Sequence, residues 1–202
     1  QIIPAAFAAT GQRCTSISRI IVNESDLDRV IAAVKQKTES YVIGDGLAEE
    51  TTLGPLVSQE QLETTQKYVQ IGLQEGATLI TGGEAPVLEQ QGYFFQPTIF
   101  ANVTPKARIA KEEIFGPVLV IIAANSFTEA LDICNDSEYG LAAACFTQNK
   151  GYQDLFVNQV QAGMIHLNNG TISESHVPFG GLKHSAIGHY SIGSTAKDFF
   201  TD

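Results

Sequence analysis

An α/β fold, a parallel β-sheet with helices on both faces, is the architecture this sequence predicts. Three observations carry that expectation. Strand-like and helix-like segments alternate along the chain, which is the pattern of parallel strands joined by crossover helices. Val118-Leu119-Val120-Ile121-Ile122-Ala123-Ala124 is an unbroken apolar run of strand length, as a strand covered on both faces requires. The 202 residues, 44% hydrophobic and 17% charged, suffice for a substantial core and do not resemble a disordered or fibrous chain.

Each element has its own local reason. Ala5 to Ala9 is a small-residue, helix-like stretch, and the β-branched run Ile20-Ile21-Val22 reads as a strand. Leu27, Val30, Ile31 and Val34 then trace a helix face, with Ser25 or Asp26 available as its cap. Ser58-Gln59-Glu60-Gln61 has capping-box form and opens a helix to about Gln74, which Gly76 stops. Ala77 to Ile80 is a short strand closed by Gly82-Gly83. Tyr93 to Phe100 is aromatic and β-branched, but Pro97 marks it as an edge or irregular strand. After the run at 118–124, Ser126-Phe127-Thr128-Glu129 is a second capping box; it opens a helix with Phe127, Ala130, Leu131 and Cys134 on one face. Ala142 to Thr147 is strand-like. Tyr152, Leu155, Phe156 and Val160 share a helix face, and Met164 to Leu167 is strand-like again. Segments 44–57 and 81–92 are loop-rich excursions. No internal repeat, low-complexity tract or linker interrupts the chain, so residues 1–202 read as one domain.

Charge and cysteine usage exclude several classes. A net charge of −10 opposes nucleic acid and anionic membrane surfaces as partners. No apolar stretch approaches the roughly 20 residues that span a bilayer. Three cysteines without CxxC spacing argue against a disulfide framework or a zinc site and suit a reducing cytoplasm. Cys134 and Cys145 fall in apolar patterns and read as packing residues. His176, His184 and His189 have no compact ligand spacing, so no metal is expected.

Cys14 differs from the other two. It lies in Thr10-Gly11-Gln12-Arg13-Cys14-Thr15-Ser16, between the helix-like stretch and the first strand, outside any periodic apolar face. Backbone N–H groups at such a junction, and the adjacent Arg13, favour a thiolate, the reactive form of the side chain. The competing reading is a small buried thiol in a turn.

Gly11-Gln12-Arg13-Cys14, Lys111-Glu112-Glu113-Ile114-Phe115-Gly116-Pro117-Val118 and Val177-Pro178-Phe179-Gly180-Gly181-Leu182-Lys183 follow one another in the order and approximate spacing of the aldehyde dehydrogenase superfamily. Lesser matches fall between them at Leu53-Gly54-Pro55-Leu56, Gly92-Tyr93-Phe94-Phe95-Gln96-Pro97-Thr98 and Asn135-Asp136-Ser137-Glu138-Tyr139-Gly140-Leu141. The chain therefore resembles that family over almost its whole length, as a catalytic (C-terminal) domain. The resemblance implies the parallel-sheet catalytic domain of the aldehyde dehydrogenase type and NAD(P)-dependent oxidation of a small-molecule aldehyde to the acid.

By the same resemblance Cys14 is the nucleophile that forms a thiohemiacetal and then a thioester. Glu113 accepts hydrogen bonds from the nicotinamide ribose hydroxyls, Phe115 packs beside the nicotinamide, and Phe179 lines the substrate pocket. NAD is favoured over NADP from the family's commoner usage, and the full-length enzyme is expected to be a homo-oligomer. Residues 168–177 would form the lip of the aldehyde pocket. Their resemblance to members that take aromatic aldehydes, with no Lys or Arg among them, points to aromatic or other bulky uncharged aldehydes. Gln61 corresponds to a position near the adenosine end of the cofactor, and a capping-box role explains it equally well. Arg13 is the local cation or a solvated side chain, and Glu112 is a surface charge.

Two departures stand out. The family usually reads Ser-Gly-x-Gly-Arg after the lysine, whereas this chain has Ser185-Ala186-Ile187-Gly188-His189. The family's dinucleotide-binding domain, oxyanion asparagine and general-base glutamate have no counterpart in these residues, nor does its oligomerisation strand. The 202 residues by themselves are therefore expected to be inactive. The alternative is a stand-alone, non-catalytic domain that binds a partner or senses oxidants through Cys14.

Overall fold

A computed structural model describes residues 1–201. The chain divides into two compact units, Ile3–Ser126 and Phe127–Asp202 with Gln1–Ile2. The first holds all but the first residue of helix α1 (Ile2–Phe7), then strand β1 (Arg19–Asn23), followed by helices α2 (Leu27–Glu39) and α3 (Gln59–Gln74). Strands β2 (Thr78–Thr81) and β3 (Thr98–Ala101), the short helix α4 (Arg108–Lys111) and strand β4 (Val118–Ala124) complete it. The four strands form one sheet in the order β1-β4-β3-β2. Strand β4 runs parallel to both β1 and β3, and β2 lies antiparallel on the far edge. The α/β class therefore holds, with helices on both faces of a mixed sheet. The apolar run of β4 is buried everywhere but at Ala123, as its central place demands.

Two local expectations need correction. Strand β3 is not an edge: it begins one residue after Pro97, lies between β4 and β2, and is buried at all four residues. The irregularity falls before it at 93–97 and in a register shift of its ladder with β2. The proline precedes the ladder, so it removes no bond from it. Neither Ser25 nor Asp26 caps α2 through its side chain. The chain enters that helix through a 3₁₀ turn, Glu24–Asp26, so the unsatisfied N–H groups fall earlier. Asn23 Oδ1 accepts from Ser25 N at 3.0 Å, while Asp26 pairs with Arg29 at 2.8 Å. The predicted face of α2 is otherwise as read, with Val34 buried and Leu27, Val30 and Ile31 half-buried.

The second unit contains α5 (Phe127–Asn135), β5 (Tyr139–Gly140), β6 (Ala142–Cys145), α6 (Lys150–Gln159), β7 (Met164–Leu167), β8 (Leu182–Lys183) and α7 (Ala196–Phe200). Strands β6 and β7 pair in parallel across α6, and β5 pairs antiparallel with β8. Leu131, Cys145, Phe156, Val160 and Ala162 form its core, with Phe127, Cys134, Ala143 and Leu155 against them. Tyr152 projects outward from the predicted face but stacks flat on Phe127, centroids 4.3 Å apart. The Lys183 ammonium donates to the carbonyls of Asn135 (2.6 Å) and Ser137 (2.9 Å), closing the C-terminal end of α5.

Candidate active site

Cys14 is exposed because the backbone before it is bent the costly way. Ala9, Thr10 and Gly11 are consecutive left-handed residues, with φ of 54°, 58° and 73°. An L-residue with a Cβ gives up about 1–2 kcal/mol in that region, so the surroundings must over-determine it. They do. The buried Thr10 hydroxyl donates to the Gly54 carbonyl at 3.0 Å, and Gln12 Nε2 donates to Ala9 O at 3.1 Å. Gln12 Oε1 accepts from Val57 N at 2.9 Å. A turn closed by Ser16 N donating to Arg13 O at 2.9 Å then presents Cys14 at its tip, with Thr15 buried beneath. Arg13 is not a solvated cation. It is half-buried, its Nη2 donates to the Ala5 carbonyl of α1 at 3.4 Å, and its Nε is buried without a partner.

Gly11 brings this turn against the second motif. A Cβ there would lie 2.6 Å from the Gly116 carbonyl carbon, so the two backbones are in direct contact and only glycine fits. Gly116 in turn is pressed on α3, where a Cβ would lie 2.5 Å from Thr65 Oγ1. The segment carrying Cys14 and the segment carrying Glu113 and Phe115 are thus packed together within one compact unit.

Within the second segment, Glu113 is exposed and carries no ion pair or hydrogen bond among the described residues. Phe115 is 41% exposed with φ 57°, an unusual conformation for a bulky side chain. Gln61 Nε2 donates to the carbonyls of Ile114 (2.9 Å) and Phe115 (3.0 Å). Glu112 is not a plain surface charge. Arg108 donates to it through Nε (2.7 Å) and Nη2 (2.9 Å), and the Tyr68 hydroxyl donates at 2.6 Å. The bonds from Arg108, and then that from Tyr68, hold the Glu112 carboxyl at about 2, while the bond to Glu112 pushes the Tyr68 hydroxyl up. The sequence reading missed both anchors. Their one signal is the spacing of Gln61, Thr65 and Tyr68, polar or hydroxyl-bearing residues on one helical face.

Phe179 belongs to the other compact unit. It is half-buried and exchanges backbone bonds with Ser191 at 2.8 and 2.9 Å, while the Tyr190 ring lies over Gly180. Residues 168–177 are exposed apart from Gly170 and Thr171. The departure at Ala186 adds no backbone strain: the left-handed position in that turn is Gly188, at φ 84°. His189 is exposed. Among the described residues no three or more His, Cys, Asp or Glu side chains gather where they could hold a metal ion, and no helix is long and apolar enough to cross a membrane.

An exposed thiol on one segment, and an unpaired carboxylate with an exposed aromatic ring on a second segment whose backbone touches the first, are what these residues define on an α/β scaffold. The sequence profile of the Aldehyde dehydrogenase family matches residues 1–202, and the chain belongs to that family. It is 43% identical over 205 residues to the alpha-ketoglutaric semialdehyde dehydrogenase of Bacillus subtilis (strain 168), covering 99% of this chain and 42% of that protein. It is 41% identical to the alpha-ketoglutarate semialdehyde dehydrogenase of Haloferax volcanii, covering 96% and 41%. Among solved structures, the NAD+ complex of an aldehyde dehydrogenase from Bacillus cereus superposes with a TM-score of 0.94 at 37% identity, covering 100% of this chain and 40% of that one. Betaine aldehyde dehydrogenase from Staphylococcus aureus in complex with NAD+ superposes with a TM-score of 0.95 at 31% identity, covering 99% and 40%. The chain spans about two-fifths of the length of the curated relatives it matches.

Proposed function

We propose that residues 1–202 are the catalytic domain of an NAD(P)-dependent aldehyde dehydrogenase, with Cys14 as nucleophile and Glu113 and Phe115 as the nicotinamide-ribose contacts. The observation that carries this reading is the backbone contact of Gly11 with Gly116, which packs the segment of the exposed thiol against the segment that bears the unpaired carboxylate. The Cys14 sulfur attacks the aldehyde carbon, and its own backbone N–H donates to the oxygen that becomes an oxyanion. The nicotinamide, when bound, supplies the hydride acceptor. Loss of hydride leaves a thioester on Cys14. Addition of water across that bond releases the carboxylic acid and returns the thiol. An exposed carboxylate with no competing partner fits a ribose diol, since it can accept from both hydroxyls, and a half-exposed ring two residues on fits the nicotinamide beside it. The NAD+ bound in two of the solved relatives favours NAD over NADP. A reducing cytoplasm and a homo-oligomeric whole enzyme complete the reading.

In the whole protein, Cys14→Ser should abolish aldehyde oxidation while NAD binding persists. Dehydrogenase activity that survives the substitution would remove Cys14 from the mechanism. For substrate, the lip at 168–177 without Lys or Arg, together with the half-buried Phe179, favours aromatic or bulky uncharged aldehydes. A second reading, an acid semialdehyde, rests on the two semialdehyde dehydrogenases among the relatives. Comparing kcat/KM for benzaldehyde and alpha-ketoglutaric semialdehyde decides between them. A preference of about tenfold, or 1.4 kcal/mol in transition-state binding, selects one.

A further inference from the structure

The loop that carries Glu113 and Phe115 is held from one side by helix α3. Gln61, Thr65 and Tyr68 stand at i, i+4 and i+7 and so share one face of that helix. Each meets a successive part of the loop. Tyr68 donates to Glu112 at 2.6 Å, Gln61 to the carbonyls of Ile114 (2.9 Å) and Phe115 (3.0 Å), and Thr65 closes on Gly116. The Thr65 hydroxyl also donates to the Gln61 carbonyl at 2.9 Å, tying the face to itself.

The two bonds from Gln61 have a particular consequence. The Ile114 carbonyl belongs to the peptide before Phe115 and the Phe115 carbonyl to the peptide after it. Holding both oxygens fixes both backbone dihedrals of Phe115, the residue with φ 57°. Without that hold, an L-residue with a bulky side chain relaxes out of the left-handed region, and Glu113, two residues before it in the same loop, turns with it. Ser58 Oγ already caps the helix by accepting from Gln61 N at 3.2 Å, so the Gln61 side chain is not needed for the cap.

We infer that Gln61 is a positioning residue of the nicotinamide-ribose site, acting through the loop by locking Phe115 in its left-handed conformation and thereby fixing Glu113. This rests on the proposed roles of Glu113 and Phe115. The test uses the whole protein with Gln61→Glu, which removes both N–H donors at nearly constant size, and Gln61→Met, which does so without adding charge. Both variants should raise KM for NAD by about tenfold, the scale of losing two neutral hydrogen bonds, while the rate of Cys14 alkylation stays unchanged. Combining either with Glu113→Gln should give far less than the product of the single effects, because the two residues act through one element. Multiplicative effects, or a loss of thermal stability at unchanged KM, overturn the inference. Amide hydrogen exchange at 112–116 separates it from the reading beneath it. Faster exchange in the Gln61 variants with Glu113→Gln silent toward NAD keeps the lock and discards the ribose role. Unchanged exchange discards the lock whatever NAD does.

Discussion

Cys14 and Cys145 carry the same side chain in opposite settings. Cys14 stands exposed at the tip of a turn, whereas Cys145 is 8% exposed in a core where burial, and then the neighbouring Cys134, push its thiol up. Iodoacetamide at neutral pH should therefore label Cys14 first and Cys145 last, since the thiolate is the attacking form and needs access. Peptide mapping of a timed reaction checks the order, and equal labelling of the three thiols in the folded protein would count against it. The glycine beneath Cys14 gives a second expectation. Gly11→Ala must hold a Cβ at φ 73° and against the Gly116 carbonyl, while Gly46 has open space around it. Gly11→Ala should cost on the order of 3 kcal/mol, strain plus displaced backbone, and Gly46→Ala should be close to neutral. Urea midpoints of the two variants measure the difference. Similar midpoints would mean that the two glycine segments are not in contact.

At the scale of elements, legibility follows the range of the interaction. The run at 118–124 announces strand β4 because burial on both faces writes itself into consecutive residues. The capping box at Ser58 announces α3 because a cap is local. The side chain of Gln61 is not announced, since its acceptors lie 53 and 54 residues away, and Tyr68 and Glu112 are 44 apart. Composition alone makes Glu112 a surface charge. Pro97 misleads in the other direction: it shows that residue 97 donates nothing to a ladder, not which strands lie on either side of the one that follows. The Glu112 anchor carries a pH dependence. Its carboxyl falls from an ordinary 4.5 to about 2, chiefly through Arg108 and then Tyr68. A depressed folded value means that the contribution is complete above 4.5 and is lost as pH falls through about 2. The side chain is still 39% exposed, so solvent screening limits the contribution to about 1 kcal/mol or less. Glu112→Gln should lower the unfolding midpoint at pH 7, and the gap to the parent should close between pH 4.5 and 2. A gap that stays constant over that window would assign the effect to something other than the carboxylate.

For the whole molecule, the chemistry asks for more groups than these residues bring. Thioester hydrolysis needs a base, and hydride transfer needs a nicotinamide held along its full length. The 202 residues offer an exposed thiol, an unpaired carboxylate and an aromatic neighbour, and they correspond to 42% of the Bacillus subtilis relative. The contacts that shape the thiol turn, from Thr10 to Gly54 and from Gly11 to Gly116, are internal to one compact unit. Local order around Cys14 should therefore survive when turnover does not. Residues 1–202 assayed alone should unfold cooperatively in urea and alkylate at Cys14 ahead of the other thiols, yet reduce no NAD with benzaldehyde or a semialdehyde. Absorbance at 340 nm reads the turnover, with the whole protein as the positive control. NAD reduction by the 202 residues alone would show that a base and a complete nicotinamide site lie within them. A whole protein equally inactive with both aldehydes and NAD(P), its Cys14 reversibly oxidised by peroxide, would favour the thiol-sensing alternative instead.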